Sequence, residues 1–130
     1  MYDEKSLHNI MCKQLLVLGS LIALDAIYIG AQYKYLSKMY SSIQNSPLKL
    51  NIVGAIICYI SLTFLLYYFI LSKKRKIIDA FLLGIAVYAV YESTNYATFT
   101  KWPIYMLVVD TLWGGILFAI TTKIYYSIYV

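Results

Sequence analysis

Three acidic residues, Asp25, Glu92 and Asp110, fall inside long stretches that are otherwise apolar, and they are the side chains best placed to do chemistry. A carboxyl in such surroundings can hold a proton, ligate a hard cation or accept hydrogen bonds from a polar ligand, and it is costly to leave without one of these roles. Hydrogen-bonding and aromatic residues accompany the three at helical spacing. Tyr28 follows Asp25, Tyr88, Tyr91 and Asn95 bracket Glu92, and Trp113 follows Asp110. These eight residues form the candidate ligand-binding set.

Other chemistry has little to work with. His8 is the sole histidine, so a His-rich transition-metal site is excluded, whereas an oxygen-preferring ion on carboxylates and Asn95 remains conceivable. No glycine-rich phosphate loop, nucleophile elbow or paired-cysteine motif occurs. The two cysteines, Cys12 and Cys58, belong at different depths of the architecture expected below, which argues against a disulfide. The residue types assign no catalytic residue, metal or cofactor.

The elements that must carry the carboxyls are membrane-spanning helices. Of 130 residues, 62% are apolar and 13% charged, and the charges gather in short clusters between long uncharged runs. That is the layout of a polytopic membrane protein, with the lipid bilayer as its solvent and partner. A net charge of +5 would raise the question of nucleic acid in a soluble chain, but here no basic stripe with interleaved aromatics is present. Four runs, about 14–33, 52–71, 77–99 and 104–126, each approach the ~20 residues needed to cross ~30 Å of hydrocarbon. The ~10-residue alternation of a membrane barrel is missing, so the expected fold is all-α, a four-helix antiparallel bundle making one domain over residues 1–130. The first run is too long for a signal-peptide core and Asp25 interrupts it, so it reads as a retained span.

Local signals place the joints. Lys73, Lys74, Arg75 and Lys76 suit the end of the second helix, Asp79 suits the first turn of the third, and Pro103 suits the first turn of the fourth after a tight turn over Thr98 to Trp102. The polar stretch from Lys34 to Asn51 reads as a loop or a short surface helix. Lys5, Lys13, Lys73, Lys74, Arg75, Lys76 and Lys123 collect on one side, and Lys34, Lys38, Lys49 and Lys101 on the other. The richer side is expected in the cytoplasm, with both termini there.

Counting from the far end of each run places Asp25, Glu92 and Asp110 at about the same depth, ~9–12 Å below the outer interface. On the third helix Ala80, Gly84, Tyr88 and Glu92 form one ridge, and on the fourth Asp110, Gly114 and Gly115 continue a row of small residues, so the acids are expected to point inward. Asp25, Tyr28 and Gly30 are echoed as Asp110, Trp113 and Gly115 on a helix of opposite direction, as in inverted-repeat transporters. Three ionised residues at span centres would cost ~10 kcal/mol in insertion, comparable to a domain's stability. They are therefore neutral hydrogen-bond glue, with Asn95, Thr94 and the tyrosines, a site opening outward, or contacts to a partner protein.

The stretch Tyr88, Tyr91, Glu92, Thr94, Asn95, Ala97, Thr98, Trp102, Pro103, Asp110, Trp113 and Gly114, together with the Asp25 to Gly30 segment, resembles the predicted membrane proteins of Domain of Unknown Function 2177. The resemblance implies four membrane helices at about this length and no established activity. Glu92 stands where that family usually has Asp, and Tyr28 where it often has Trp.

The function expected from these residues is a non-enzymatic membrane protein with a buried acidic site for a proton, a cation or a lipid head group. One alternative is a structural or assembly subunit of a membrane complex or virion membrane, a setting that the Ile, Lys and Tyr richness of an AT-rich viral genome would fit. A lipid-modifying enzyme or accessory is the other. Four helices enclose no wide pore, so transport would require a homo-oligomer.

Overall fold

A computed structural model describes residues 3–130. Among these residues every regular element is helical: α1 (Glu4–Ala31), α2 (Tyr33–Gln44), α3 (Ile52–Leu66) continued by a π-helical turn (Tyr67–Leu71), α4 (Ile77–Thr98) and α5 (Ile104–Tyr129). Four of them, counting α3 with its π turn as one, are long and apolar enough to span a bilayer. The chain is a four-helix membrane bundle with α2 as an added short helix.

Helix α1 begins ten residues before the expected start of its span. Polarity marks where lipid begins, and the helix itself begins where its backbone is capped. Asp3 accepts a hydrogen bond from the Ser6 amide at 2.7 Å, and Glu4 occupies the first turn. That hydrogen bond also holds the Asp3 carboxyl below its ordinary range. With 28 residues α1 is ~42 Å long, more than the ~30 Å hydrocarbon layer requires.

At the far end of α1 the chain turns at Gln32 and immediately forms α2, so the stretch left open between loop and surface helix is a helix over its first part. Its Leu36, Met39, Tyr40 and Ile43 recur at the spacing of one helical face and pack on Trp102 and Met106. It ends at Asn45, whose φ of 56° is a left-handed conformation that asparagine tolerates well. Two expected joints shift slightly. The four cations lie in the turn after the π-helical segment, not in the last helical turn, and Pro103 is the residue just before α5. Asp79 does occupy the first turn of α4.

The tightest contact is the α4–α5 hairpin. Gly84 lies so close to Gly114 that an added Cβ would fall on its carbonyl, and a Cβ on Gly115 would stand 2.7 Å from the Phe81 ring. Helix α1 packs against α5, and α3 against α1. Val17, Leu21, Leu62, Leu66, Leu71, Leu117 and Phe118 form an apolar core toward the end that carries the chain termini. Lys13 over the Tyr129 ring and the Tyr126 hydroxyl on the Arg75 carbonyl at 2.5 Å bring the start of α1, the end of α5 and the α3–α4 turn to that end. The α2–Trp102 cluster closes the other end.

Large apolar side chains face outward along every span, for example Ile27, Ile57, Val90 and Leu112. Lipid tails are as apolar as these side chains, so burying them in protein gains little, and the bundle depends on close packing and on hydrogen bonds. Several hydroxyls on the spans are satisfied within their own helices: Ser61, Thr63 and Thr122 each donate to the carbonyl four residues back.

Candidate functional site

Asp25 and Glu92 are buried, with 8% and 1% of their surface exposed, and Asp110 is half-buried. All three point into the bundle, as the spacing predicts. The carboxyls of Glu92 and Asp110 meet, and Asp25 has hydrogen-bond partners of its own.

Around Asp25 the donors come from two other helices. The Tyr59 hydroxyl of α3 donates to Oδ2, and the indole N–H of Trp113 on α5 donates to Oδ1 at 2.9 Å. Tyr28 lies flat against Trp113, with ring centroids 4.5 Å apart and planes 5° from parallel. The two aromatics of the internal echo therefore stack on each other. The echo goes no further, because Gly115 is wedged against α4 whereas Gly30 has open space around it.

The second group lies between α4 and α5. The carboxyls of Glu92 and Asp110 stand next to each other across the hairpin, and the Trp102 indole N–H donates to Glu92 Oε2 at 2.7 Å. The Tyr28 hydroxyl lies beside Asp110 and Gln32 but meets the geometry of a hydrogen bond to neither, so it is a buried hydroxyl without a partner. Gln32 Nε2 and Thr111 Oγ1 are likewise buried and unpartnered.

The remaining residues expected at the site divide. Tyr88 sits between the two groups, its ring pressed against Gly114. Tyr91 is half exposed, and its hydroxyl is 3.4 Å from that of Tyr40, not from a carboxyl. Asn95 is half-buried on α4 and belongs to neither hydrogen-bond group. Thr94 donates to the Val90 carbonyl of its own helix at 2.6 Å and glues no other helix. Two donors were overlooked as site residues in the sequence. Tyr59 sits in a charge-free span with no acidic residue to flag it, and Trp102 looks like an interface anchor. Only its distance of ten residues from Glu92, across a hairpin, could have suggested their pairing.

Every hydrogen bond to a carboxyl of the site comes from a neutral group. Among the described residues no three His, Cys, Asp or Glu side chains gather as a metal would require. Two hollows of the surface lie away from the carboxyls. One of about 470 Å³ is an apolar groove on the outer face of α4 and α5 between Val90, Ser93, Val108 and Leu112. Another of about 650 Å³ lies between the first turns of α1 and Tyr129. Instead of opening outward, the pair is roofed by α2: Tyr40 stands edge-on to Trp102 at 5.7 Å, and Lys101 donates to the Ser42 carbonyl at 3.3 Å. Burial drives the Tyr40 hydroxyl well above its ordinary pKa, with the Tyr91 hydroxyl adding to the effect, so Tyr40 stays a neutral hydroxyl.

A family model described as Predicted membrane protein (DUF2177) matches residues 10–127, which takes in most of α1 and α5, the whole of the helices between them and the residues of both carboxyl groups. Among curated proteins nothing matches the chain, and the same holds among solved structures.

Proposed function

We propose a function for this chain from the premise that it belongs to the DUF2177 family of predicted membrane proteins: it holds an exchangeable proton inside the bilayer, shared between Glu92 and Asp110. The adjacency of these two carboxyls carries the reading. Two carboxylates side by side repel, and two carboxyls form a hydrogen bond only when a proton lies between them. Among the described residues no cationic side chain donates to either, and the Trp102 indole supplies one neutral donor. Tyr28 and Gln32 give the site spare hydrogen-bonding capacity that a change in protonation can use.

Among the three ligands considered from the sequence, the proton is the one that needs no cavity and no third carboxylate. A lipid head group would need an opening, and the pair is roofed by α2 and Trp102. The same contacts also suit a structural lock within a larger assembly, and the two readings differ in whether the proton exchanges. Both chain ends, on the side with seven Lys and Arg, are placed in the cytoplasm by this proposal.

Infrared difference spectra of the protein in lipid nanodiscs, recorded across a pH step, test it. The wild-type chain should show the carbonyl stretch of a protonated carboxyl that responds to the step, and Glu92→Gln and Asp110→Asn should each abolish that response. A spectrum in which no intramembrane carboxyl changes protonation would leave the structural lock as the function.

A further inference from the structure

The α3–α4 turn carries Lys73, Lys74, Arg75 and Lys76 in succession, against a single carboxylate, Asp79, between positions 72 and 79. We infer that this turn is a binding surface for the phosphate head groups of anionic phospholipids in the leaflet that borders it. It joins two spans and so lies where the hydrocarbon ends. Tyr68 and Phe69, both well exposed toward lipid, place it there: the Lys73 ammonium sits 4.8 Å from the Tyr68 ring centre and 5.8 Å from that of Phe69. Aromatic rings at the head-group level with an ammonium above them present positive charge at the height of lipid phosphate.

The turn is also held in one shape. The Ser72 amide donates to the Tyr67 carbonyl at 2.8 Å, the Lys74 amide to Leu71 at 3.1 Å, and the Arg75 amide to Ile70 at 3.0 Å. The Tyr126 hydroxyl fastens the Arg75 carbonyl to α5 at 2.5 Å. Lys74 has a φ of 52°, a left-handed conformation that glycine adopts without strain and lysine does not. A strained backbone here carries a charge where an uncharged residue would fit better. Four cations on consecutive residues repel one another, and lipid phosphates are the counter-charge that the surroundings of a membrane turn supply. Exposed Lys123 of α5 lies at the same end of the bundle and extends the positive surface.

The test is native mass spectrometry of the full chain released from nanodiscs containing equal amounts of phosphatidylglycerol and phosphatidylcholine. The wild type should retain phosphatidylglycerol in preference. Lys74→Gly removes one charge and relieves the strained φ, so it folds at least as well while its preference falls about five-fold; Lys73→Gln combined with Arg75→Gln should lower it about 25-fold. Lys34→Gln combined with Lys38→Gln, on α2 at the opposite end, should leave it unchanged. The inference is overturned if the wild type shows no preference, if the α2 variant loses as much as the turn variants, or if millimolar inorganic phosphate displaces the lipid, which would mark a free-anion site.

Discussion

The indole nitrogen of Trp102 is 2.7 Å from a carboxyl oxygen of Glu92, a contact that closes the α4–α5 hairpin from one side of its turn to the other. The same ring is the surface on which α2 rests, through Leu36, Met39 and Tyr40. One side chain thus satisfies the most buried acid of the bundle and anchors the helix that covers it. The position of α2 and the hydrogen bonding of Glu92 are consequently linked.

Trp102→Phe keeps an aromatic ring under α2 and removes the donor to Glu92. A buried polar group that loses its partner costs about 1–3 kcal/mol, so the variant should unfold more readily in a denaturant titration by that amount. Hydrogen exchange should quicken in α2, whose support shifts, before it quickens in α1 or α3. Unchanged stability together with unchanged exchange in α2 would contradict the linkage.

Asp25 accepts from Tyr59 and from Trp113, one donor to each carboxyl oxygen. In Asp25→Ala both donors lose their acceptor, so the substitution costs more than Tyr59→Phe, which removes only one bond. In a double-mutant cycle between the two positions the coupling should be about 0.5–3 kcal/mol, the range for residues in direct contact. Additive effects would mean that Tyr59 contributes to packing alone.

The spans were legible because ~20 apolar residues have few places to go, and the inward direction of Glu92 and Asp110 was legible because they share ridges with Gly84 and Gly114. What could not be read was pairing across helices. Helical spacing fixes which face a residue occupies and says nothing about the rotation of the neighbouring helix. Tyr91 and Asn95 therefore looked as well placed as Tyr88, and Tyr59 was passed over. The start of α1 is hidden for a different reason: Asp3 and Glu4 signal a helix start, but they lie about ten residues outside the apolar run, and hydropathy marks only where lipid begins.

The glycines offer an internal comparison. Gly84→Ala would put a methyl group on the backbone of Gly114, whereas Gly19→Ala on α1 meets nothing within 4 Å. Overpacking of this kind costs about 1–3 kcal/mol, and forcing α4 from α5 should also separate Glu92 from Asp110. Gly19→Ala should be neutral or gain up to ~1 kcal/mol from helix propensity. Thermal unfolding in detergent of the two variants beside the wild type would measure the contrast, and equal effects would mean that the hairpin is looser than these contacts describe.

The placement of both ends in the cytoplasm can be checked with the cysteines the chain already has. Cys12 is partly exposed on the stretch of α1 that α1's length carries past the hydrocarbon, near His8, whose Nε2 is 3.6 Å from its sulfur. Cys58 is exposed on the lipid-facing side of α3, in the middle of a span, where a water-soluble reagent has no access. A membrane-impermeant maleimide should leave Cys12 unlabelled in intact cells and label it after the membrane is opened, while Cys58 stays unreactive in both until the protein is denatured. Labelling of Cys12 in intact cells would reverse the topology. It would put the Lys73 to Lys76 turn on the outer surface, since Lys13 over Tyr129 and Tyr126 on Arg75 tie that turn to the same end as Cys12.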